Sequence, residues 1–378
     1  MIGGGSGAFI GAVHRMAARL DGQIELVCGA FSSSPEKSKE TGQELYLAED
    51  RIYDTWKDMI SQEAQHNEGD RMDIVSIVTP NHLHAAPAIM ALEHGFPVIC
   101  DKPLCLSTGE ALEIKDMVEK SGLPFALTHT YTGYPMVKQA RHMIASGELG
   151  PVRKVVVEYP QGWLTDKLED EGQKQAVWRS DPAKAGKAGA YGDIGTHAAN
   201  MAEYVSGLQI IKVLSKMSKV VEGRLLDDDT SALLEFKGGV PGVLICSQVS
   251  AGEENALRVK VYGTKGGVEW CQEDENTLLV KRHRAPNQVY RTGVDNSYLA
   301  EVALAHARVP SGHPEGYIEA FANIYRNFAM AVRANFSGSL HDPMYDFPDI
   351  DDGVHGMALV DAIVESSLKG NAWISLKH

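Results

Sequence analysis

A rhythm in the first third of this chain constrains its fold more than any other feature. Short apolar runs alternate with helical stretches, and each run leads directly into a polar or glycine-rich cluster. Residues 24–30, 74–78, 98–100 and 125–127 read as buried strands. Ser107-Thr108-Gly109-Glu110 has the form of a capping box and predicts a helix to about Lys120, with Gly122-Leu123-Pro124 as its stop. Strand, helix, strand, repeated, calls for right-handed crossovers and a parallel sheet. The expected architecture of residues 1–130 is therefore α/β, a doubly wound parallel sheet of the Rossmann type. The clusters at 3–7, 31–34, 79–82, 101–103 and 128–131 then gather at the carboxyl ends of the strands, where such sheets bind ligands.

Near Ser146 the pattern changes. Alternating β-like stretches follow at 152–159, 213–221, 230–236, 243–249, 258–262 and 278–283, punctuated by Gly150-Pro151, Gly238-Gly239 and Gly266-Gly267. Two long helical patterns, at about 316–336 and 351–369, close the chain. Residues 131–378 thus read as an α+β domain with a large, mostly antiparallel sheet. Two domains also suit 378 residues at roughly 150 per domain.

Composition narrows the partners. The formal net charge of −14 argues against nucleic acid and anionic membrane surfaces as partners. No apolar run approaches the ~20 residues of a membrane span. Cys28, Cys100, Cys105, Cys246 and Cys271 are odd in number, scattered and without a C-x-x-C pair, the usage of a reducing compartment. With no leader pattern at the N-terminus, the expectation is a cytoplasmic protein.

Gly3-x-Gly5, with Gly11 further on, opens a stretch whose Ala12, Val13, Met16, Ala17 and Leu20 form a helix face. Glycines there let the backbone approach a pyrophosphate held at the helix N-terminus. The turn is longer than G-x-G-x-x-G, and the strand before it is reduced to Met1-Ile2. Either that strand is very short or the sequence starts downstream of the natural start. No acidic residue closes the second strand to bind a ribose hydroxyl. Ser32, Ser33 and Ser34 stand there with Lys37 nearby, leaving NAD and NADP both open, and the serines equally suit capping a helix at Pro35.

Lys102 follows a buried strand and precedes Pro103. Such a lysine can stabilise charge on a substrate oxygen, although a strand-end lysine alone is usually a solvated charge. Ala188-Gly189-Ala190-Tyr191-Gly192-Asp193-Ile194-Gly195-Thr196-His197 runs into a helical pattern, and Asp193 and His197, four apart, share one helix face. An imidazole can take a hydroxyl proton near neutral pH with a carboxylate to support it. An N-capping Asp followed by a His in the next turn is equally a common structural pattern.

The glycine turn, Thr79-Pro80-Asn81-x-x-His84, Asp101-Lys102-Pro103-Leu104, Ser146-Gly147-Glu148-Leu149-Gly150, Asp193-x-x-x-His197 and Val261-Tyr262-Gly263-Thr264-Lys265-Gly266-Gly267 occur in one order. Together they resemble the glucose–fructose oxidoreductase/inositol dehydrogenase (Gfo/Idh/MocA) family over nearly the whole chain. The resemblance implies Lys102 as catalytic lysine, His197 as general acid/base and Asp193 as its supporting carboxylate. It implies a dinucleotide, NAD or NADP, held by Gly3, Gly5, Ser6, Gly7, Phe9, Ile10, Ser32, Ser33, Thr79, Pro80, Asn81, His84, Asp101 and Lys102. Asp101 stands where the family more often has Glu. A cis peptide before Pro103 is also implied.

The function so implied is an oxidoreductase acting on a secondary alcohol or ketone of a sugar, sugar derivative or cyclitol, assembled as a homodimer or homotetramer. Lys102, Asp193 and His197 would touch substrate, with Tyr131, Trp178, Arg179 and His313 around them and Tyr134 and Trp163 also near, although each of these six singly suits core or surface packing better. Two rival readings come from the same family: an NAD-retaining glycosidase working by transient ring oxidation and elimination, and a catalytically silent sugar or nucleotide sensor. His82-x-His84 lacks further ligands at zinc spacing, so no metal site is expected. Asp227-Asp228-Asp229 and Lys281-Arg282-His283-Arg284 read as solvated turn and strand faces.

Overall fold

The structure is a computed structural model that describes residues 1–376. The chain divides into two compact units, Met1–His129 with Phe321–Val354, and Thr130–Ala320 with the C-terminal segment from His355.

In the first unit β1 (Ile2–Gly3), β2 (Val75–Val78), β3 (Val98–Cys100) and β4 (Phe125–Leu127) form a parallel sheet in that order. Every residue of β2, β3 and β4 is buried, as a sheet covered on both faces requires. Ile2 pairs with Ile77 on one side and bridges to Ala30 on the other. The neighbours of β1 thus run to opposite flanks, which is the doubly wound arrangement. The strand expected at 24–30 shrinks to single parallel bridges at Gly29 and Ala30. Its apolar run alternates in burial, with Val27 turned to solvent, so only the last residues reach the sheet.

The cover comes from α1 (Phe9–Leu20), α2 (Pro35–Glu44), α3 (Trp56–Glu63), α4 (Ala85–Glu93) and α5 (Thr108–Ser121). The capping box of α5 forms with a shift. The Glu110 N–H donates to Ser107 Oγ at 3.2 Å, but the Glu110 carboxylate reaches the Leu106 N–H at 2.9 Å. Gly122, in the left-handed region, ends the helix.

The chain leaves its first unit after His129 but does not stay in the second. Two long helices, α11 (Tyr317–Ser337) and α12 (Ile350–Leu368), each change unit along their length. Residues 321–354 serve the first unit: Tyr325 bonds His14 and Ser76, and the Leu127 N–H donates to the Pro348 carbonyl at 2.8 Å.

Among the described residues, the second unit carries nine strands. They are β5 (Val152–Pro160), β6 (Ile210–Ser218), β7 (Asp229–Phe236), β8 (Val240–Ser247), β9 (Arg258–Gly263), β10 (Gly266–Cys271), β11 (Thr277–Arg282), β12 (Gln288–Arg291) and β13 (Ile374–Ser375). Their order is β12-β11-β10-β9-β5-β8-β7-β6-β13, antiparallel throughout except for the parallel pair β5–β8. Alternate residues are buried, Val155, Val157, Ala232, Leu234 and Leu244 among them. The helices of this unit are α6 (Pro135–Ala145), α7 (Lys174–Arg179), α8 (Pro182–Ala185), α9 (Thr196–Ser206) and α10 (Glu301–Leu304).

Candidate active site

In the first unit, the glycine turn and α1 pack backbone to backbone. A Cβ on Gly11 would lie 2.3 Å from the Gly4 Cα, so no other residue fits there. Ala8 at the N-cap offers no side-chain acceptor to the first turn of α1. The helix thus begins with unserved N–H groups and exposed Ser6, Gly7 and Phe9, the last 67% exposed. This is the form a dinucleotide pyrophosphate requires. Gly3, Gly5 and Ile10 complete the same turn and helix start, and the Ser6 N–H donates to Thr41 Oγ1 at 3.1 Å. Beside it Ser34 caps α2, while Ser33 stays exposed and Ser32 Oγ accepts the Ser34 N–H at 3.2 Å. Serine at this place therefore both caps a helix and leaves hydroxyls at the sheet edge.

The ends of β2 and β3 lie next to each other. Thr79 Oγ1 donates to the Leu83 carbonyl at 3.1 Å, Pro80 is half-buried and Asn81 is buried. His84 departs from the expectation of a cofactor contact. It has no exposed surface, and its ring nitrogens face the Pro103 carbonyl at 2.9 Å and the Thr79 carbonyl at 2.8 Å. Burial pushes its pKa down, against the pull of Asp101 and those carbonyls. His84 is a clamp between two strand ends.

The Lys102–Pro103 peptide is cis. Asp101 Oδ1 accepts the Lys102 N–H at 2.9 Å and the Thr128 hydroxyl at 2.8 Å. Burial alone would raise the Asp101 carboxyl, but neighbouring His14, Lys102 and His84 hold it well below the usual carboxylate range. His129, buried and close to the charge of Lys102, is pushed down to about 3 and so stays neutral. Lys102 thus has an anchored carboxylate at its own backbone N–H.

In the second unit, Asp193 and His197 lie on one helical run that opens with a π-helical turn, Tyr191–Gly195, before α9. Such turns are frequent at functional sites. What builds the turn is Asp227. Its carboxylate accepts the Gly189 and Tyr191 N–H groups at 2.5 and 2.9 Å, and its carbonyl accepts that of Ala190 at 2.9 Å. A Cβ on Gly189 would stand 2.2 Å from that carbonyl. The expectation of a solvated acidic turn fails here. Asp227 and Asp228 are buried, the second bonding the Val220 and Val221 N–H groups and Arg224.

Asp193 Oδ2 accepts Arg179 Nε at 3.0 Å and Gln248 Nε2 at 2.9 Å. The Arg179 guanidinium lies 4.2 Å from the centre of the Trp178 ring and 6.0 Å from that of Trp163. It also borders a small open cleft lined by Leu164, Glu169, Arg224, Asp228 and Gln248. His197 is 8% exposed, with its ring edge-on to Tyr131 at 4.7 Å. The Tyr131 and Tyr159 hydroxyls meet at 2.5 Å, and Tyr159 donates to Asn255 Oδ1 at 2.7 Å. Gln161 shares that oxygen at 2.6 Å and accepts Trp163 Nε1 at 3.1 Å. An aromatic and amide network thus runs from beside the imidazole to beside the arginine that grips Asp193. Tyr134 belongs to the core, tilted on Trp270. His313 sits on an exposed loop and turns back to the Pro310 carbonyl.

The sequence singled out Tyr131, Trp163, Trp178, Arg179, Asp193 and His197, and the structure brings these six into one network. It missed Tyr159, Gln161, Gln248 and Asn255. For three of them a signal existed, because Tyr159, Gln161 and Gln248 stand at the ends of the parallel pair β5 and β8. Among the described residues no three His, Cys, Asp or Glu side chains group as a metal site, and no helix is long and apolar enough to cross a membrane.

Residues 1–129 match the oxidoreductase family with an NAD-binding Rossmann fold, and residues 137–269 match the GFO/IDH/MocA C-terminal domain. An oxidoreductase from Sinorhizobium meliloti is 45% identical with a TM-score of 0.89, over 99% of this chain and 98% of that one. An inositol dehydrogenase homolog from Azotobacter vinelandii, complexed with NAD+, is 35% identical with a TM-score of 0.93, over 99% and 96%. A levoglucosan dehydrogenase from Pseudarthrobacter phenanthrenivorans is 26% identical over all of this chain and 97% of its own.

Proposed function

Because this chain belongs to the GFO/IDH/MocA oxidoreductase family, we propose that it moves a hydride between a nicotinamide dinucleotide and a secondary alcohol or ketone of a sugar, sugar derivative or cyclitol. The dinucleotide, when bound, supplies the hydride acceptor or donor. Everything else falls to this chain's own side chains. In the oxidising direction His197 takes the hydroxyl proton, and Asp193 favours the imidazolium that results. Lys102 stabilises the negative charge developing on the same oxygen. The uncapped start of α1 and the glycine turn hold the pyrophosphate, with Ser32 and Ser33 toward the adenosine ribose.

The observation that carries this reading is the grip on Asp193. Arg179 and Gln248 together fix one carboxylate oxygen, four residues before a histidine packed against Tyr131. A merely capping aspartate needs no such pair. NAD is the cofactor we assign first, since Ser32 and Ser33 are not accompanied by an arginine suited to a 2′-phosphate. We also read the chain as a cytoplasmic homo-oligomer, its five cysteines all unpaired.

The test is a panel of cyclitols and sugars, myo-inositol and levoglucosan included, each with NAD+ and NADP+ and followed by reduced-nicotinamide absorbance. Accumulating NADH with a polyol supports the proposal. Release of an aglycone from a glycoside without accumulation would transfer the protein to the glycosidase reading. Cofactor binding with no turnover across the panel would make it a sensor.

A further inference from the structure

Asp101 has a second keeper that no sequence motif announces. His14 lies on α1, the helix that begins at the glycine turn, and has no exposed surface. Its Nδ1 is 2.6 Å from the Tyr325 hydroxyl, which is 2.8 Å from Ser76 Oγ. Its Nε2 makes no hydrogen bond and faces Asp101 Oδ1 at 3.8 Å. The ring is fixed edge-on against Phe321 at 4.5 Å and Tyr325 at 5.7 Å.

These contacts choose a tautomer. A bare Nε2 lone pair facing a largely covered carboxylate, its side chain 15% exposed, would be repulsive, so the proton belongs on Nε2 and Nδ1 accepts from Tyr325. Tyr325 in turn accepts from the Ser76 hydroxyl. Every donor in the row Ser76, Tyr325, His14 then points toward Asp101, whose Oδ1 also receives the Lys102 N–H. A buried polar row of this kind is costly unless it specifies something.

We propose that His14, oriented by Tyr325 and Ser76, is a positioning residue for Lys102: it pins the Asp101 carboxylate that holds the Lys102 backbone. Resting on the catalytic role assigned to Lys102, this makes the pyrophosphate-binding helix itself the support of the catalytic lysine. It also accounts for Asp at 101. The short side chain meets His14 and the Lys102 N–H with one oxygen, a place a longer carboxylate would overshoot.

The experiment reads Lys102 directly, without any substrate. Competitive acetylation with acetic anhydride, followed by mass spectrometry, gives the reactivity of Lys102 relative to exposed Lys39 in the same sample. His14→Leu leaves the carboxylate to Thr128 and the Lys102 N–H alone, loosens the strand end and raises that ratio by about fivefold, the population shift that loss of one interaction of ordinary hydrogen-bond strength allows. His14→Gln returns an amide N–H to the Nε2 position and restores the wild-type ratio. Tyr325→Phe, which keeps the ring and removes only the hydroxyl, raises the ratio less, and carries the test if the His14 variants do not fold. NAD+ affinity serves as the control for an intact glycine turn and stays within twofold. An unchanged ratio in both His14→Leu and Tyr325→Phe overturns the proposal, and so does a Gln variant that behaves like Leu, which would reduce His14 to filler. Lys102→Ala turning over myo-inositol with NAD+ at the wild-type rate would instead overturn the assigned function and leave the positioning result standing.

Discussion

Glu63 shows how much a single side chain decides in this fold. It has no exposed surface, and its two oxygens accept Arg51 Nε and Nη2, the Tyr53 hydroxyl and the Met72 N–H, all at 2.8–2.9 Å. Burial pushes its pKa up, but those four donors outweigh burial and leave it below the ordinary value. A carboxylate depressed in the fold stabilises fully above its unfolded pKa of about 4.3 and loses that stability as pH falls through the folded value. Glu63→Ala leaves the half-buried Arg51 with the Asp70 carbonyl and strands the buried Tyr53 hydroxyl and Met72 N–H, which should lower unfolding stability by about 1–3 kcal/mol, measured by urea denaturation at pH 7. The wild-type advantage over this variant should shrink below about pH 4, and an advantage that grows with acid would contradict the assignment. On the proposed mechanism, His197→Ala should cut kcat by about 10²–10⁴-fold while NAD+ affinity stays put, and equal losses in both would make the histidine architectural. The place of Lys102 at a strand end, and of Asp193 and His197 at a helix start, was legible because a buried run and a glycine-rich break mark those ends. Asp227 was not, because three consecutive aspartates look solvated until the backbone donors that surround one of them are known.

Among the elements, the π-helical turn at Tyr191–Gly195 has the sharpest consequence. Asp227 uses both carboxylate oxygens on N–H donors, a pattern an asparagine cannot copy because its amide group would face a donor with a donor. Asp227→Asn should therefore displace Asp193 and lower kcat, by about 10²-fold for a shift near 1 Å, with NAD+ affinity held as the internal control. A variant with wild-type kcat would show the turn to be self-supporting. Elements with strong periodicity or caps were readable, α5 most of all, where Ser107 and Gly122 stand at its two ends. Two failures have physical causes. Gly266-Gly267 looked like a break between strands, yet both glycines pair inside β10. The run at 24–30 looked fully buried, but its outward residues have no sheet layer to cover them.

At the scale of the whole chain, sequence reading found both architectures and missed that residues 321–354 return to the first unit. An amphipathic helix declares that it has an apolar face, never which sheet will take it, so that assignment was beyond the pattern. The same limit bears on the outer face of the nine-stranded sheet. Register aligns Leu214, Leu233, Val243 and Val156 across β6, β7, β8 and β5, and the next partner along the row is Lys260, between Glu158 and Glu269. Leu233 is 47% exposed, and the inward neighbours Ala232, Leu234 and Leu244 are buried. An apolar row bordered by paired charges suits a second copy of the chain, which would bury the row and leave the charges at the rim. Sedimentation equilibrium of the wild type should therefore give a multiple of the 41.1 kDa chain mass. Leu233→Lys with Val243→Lys, both on the outward side, should move the mass toward that of one chain without altering the far-ultraviolet circular dichroism. A wild type that sediments at 41.1 kDa removes the oligomer, and a double variant that keeps the wild-type mass moves the interface to another surface.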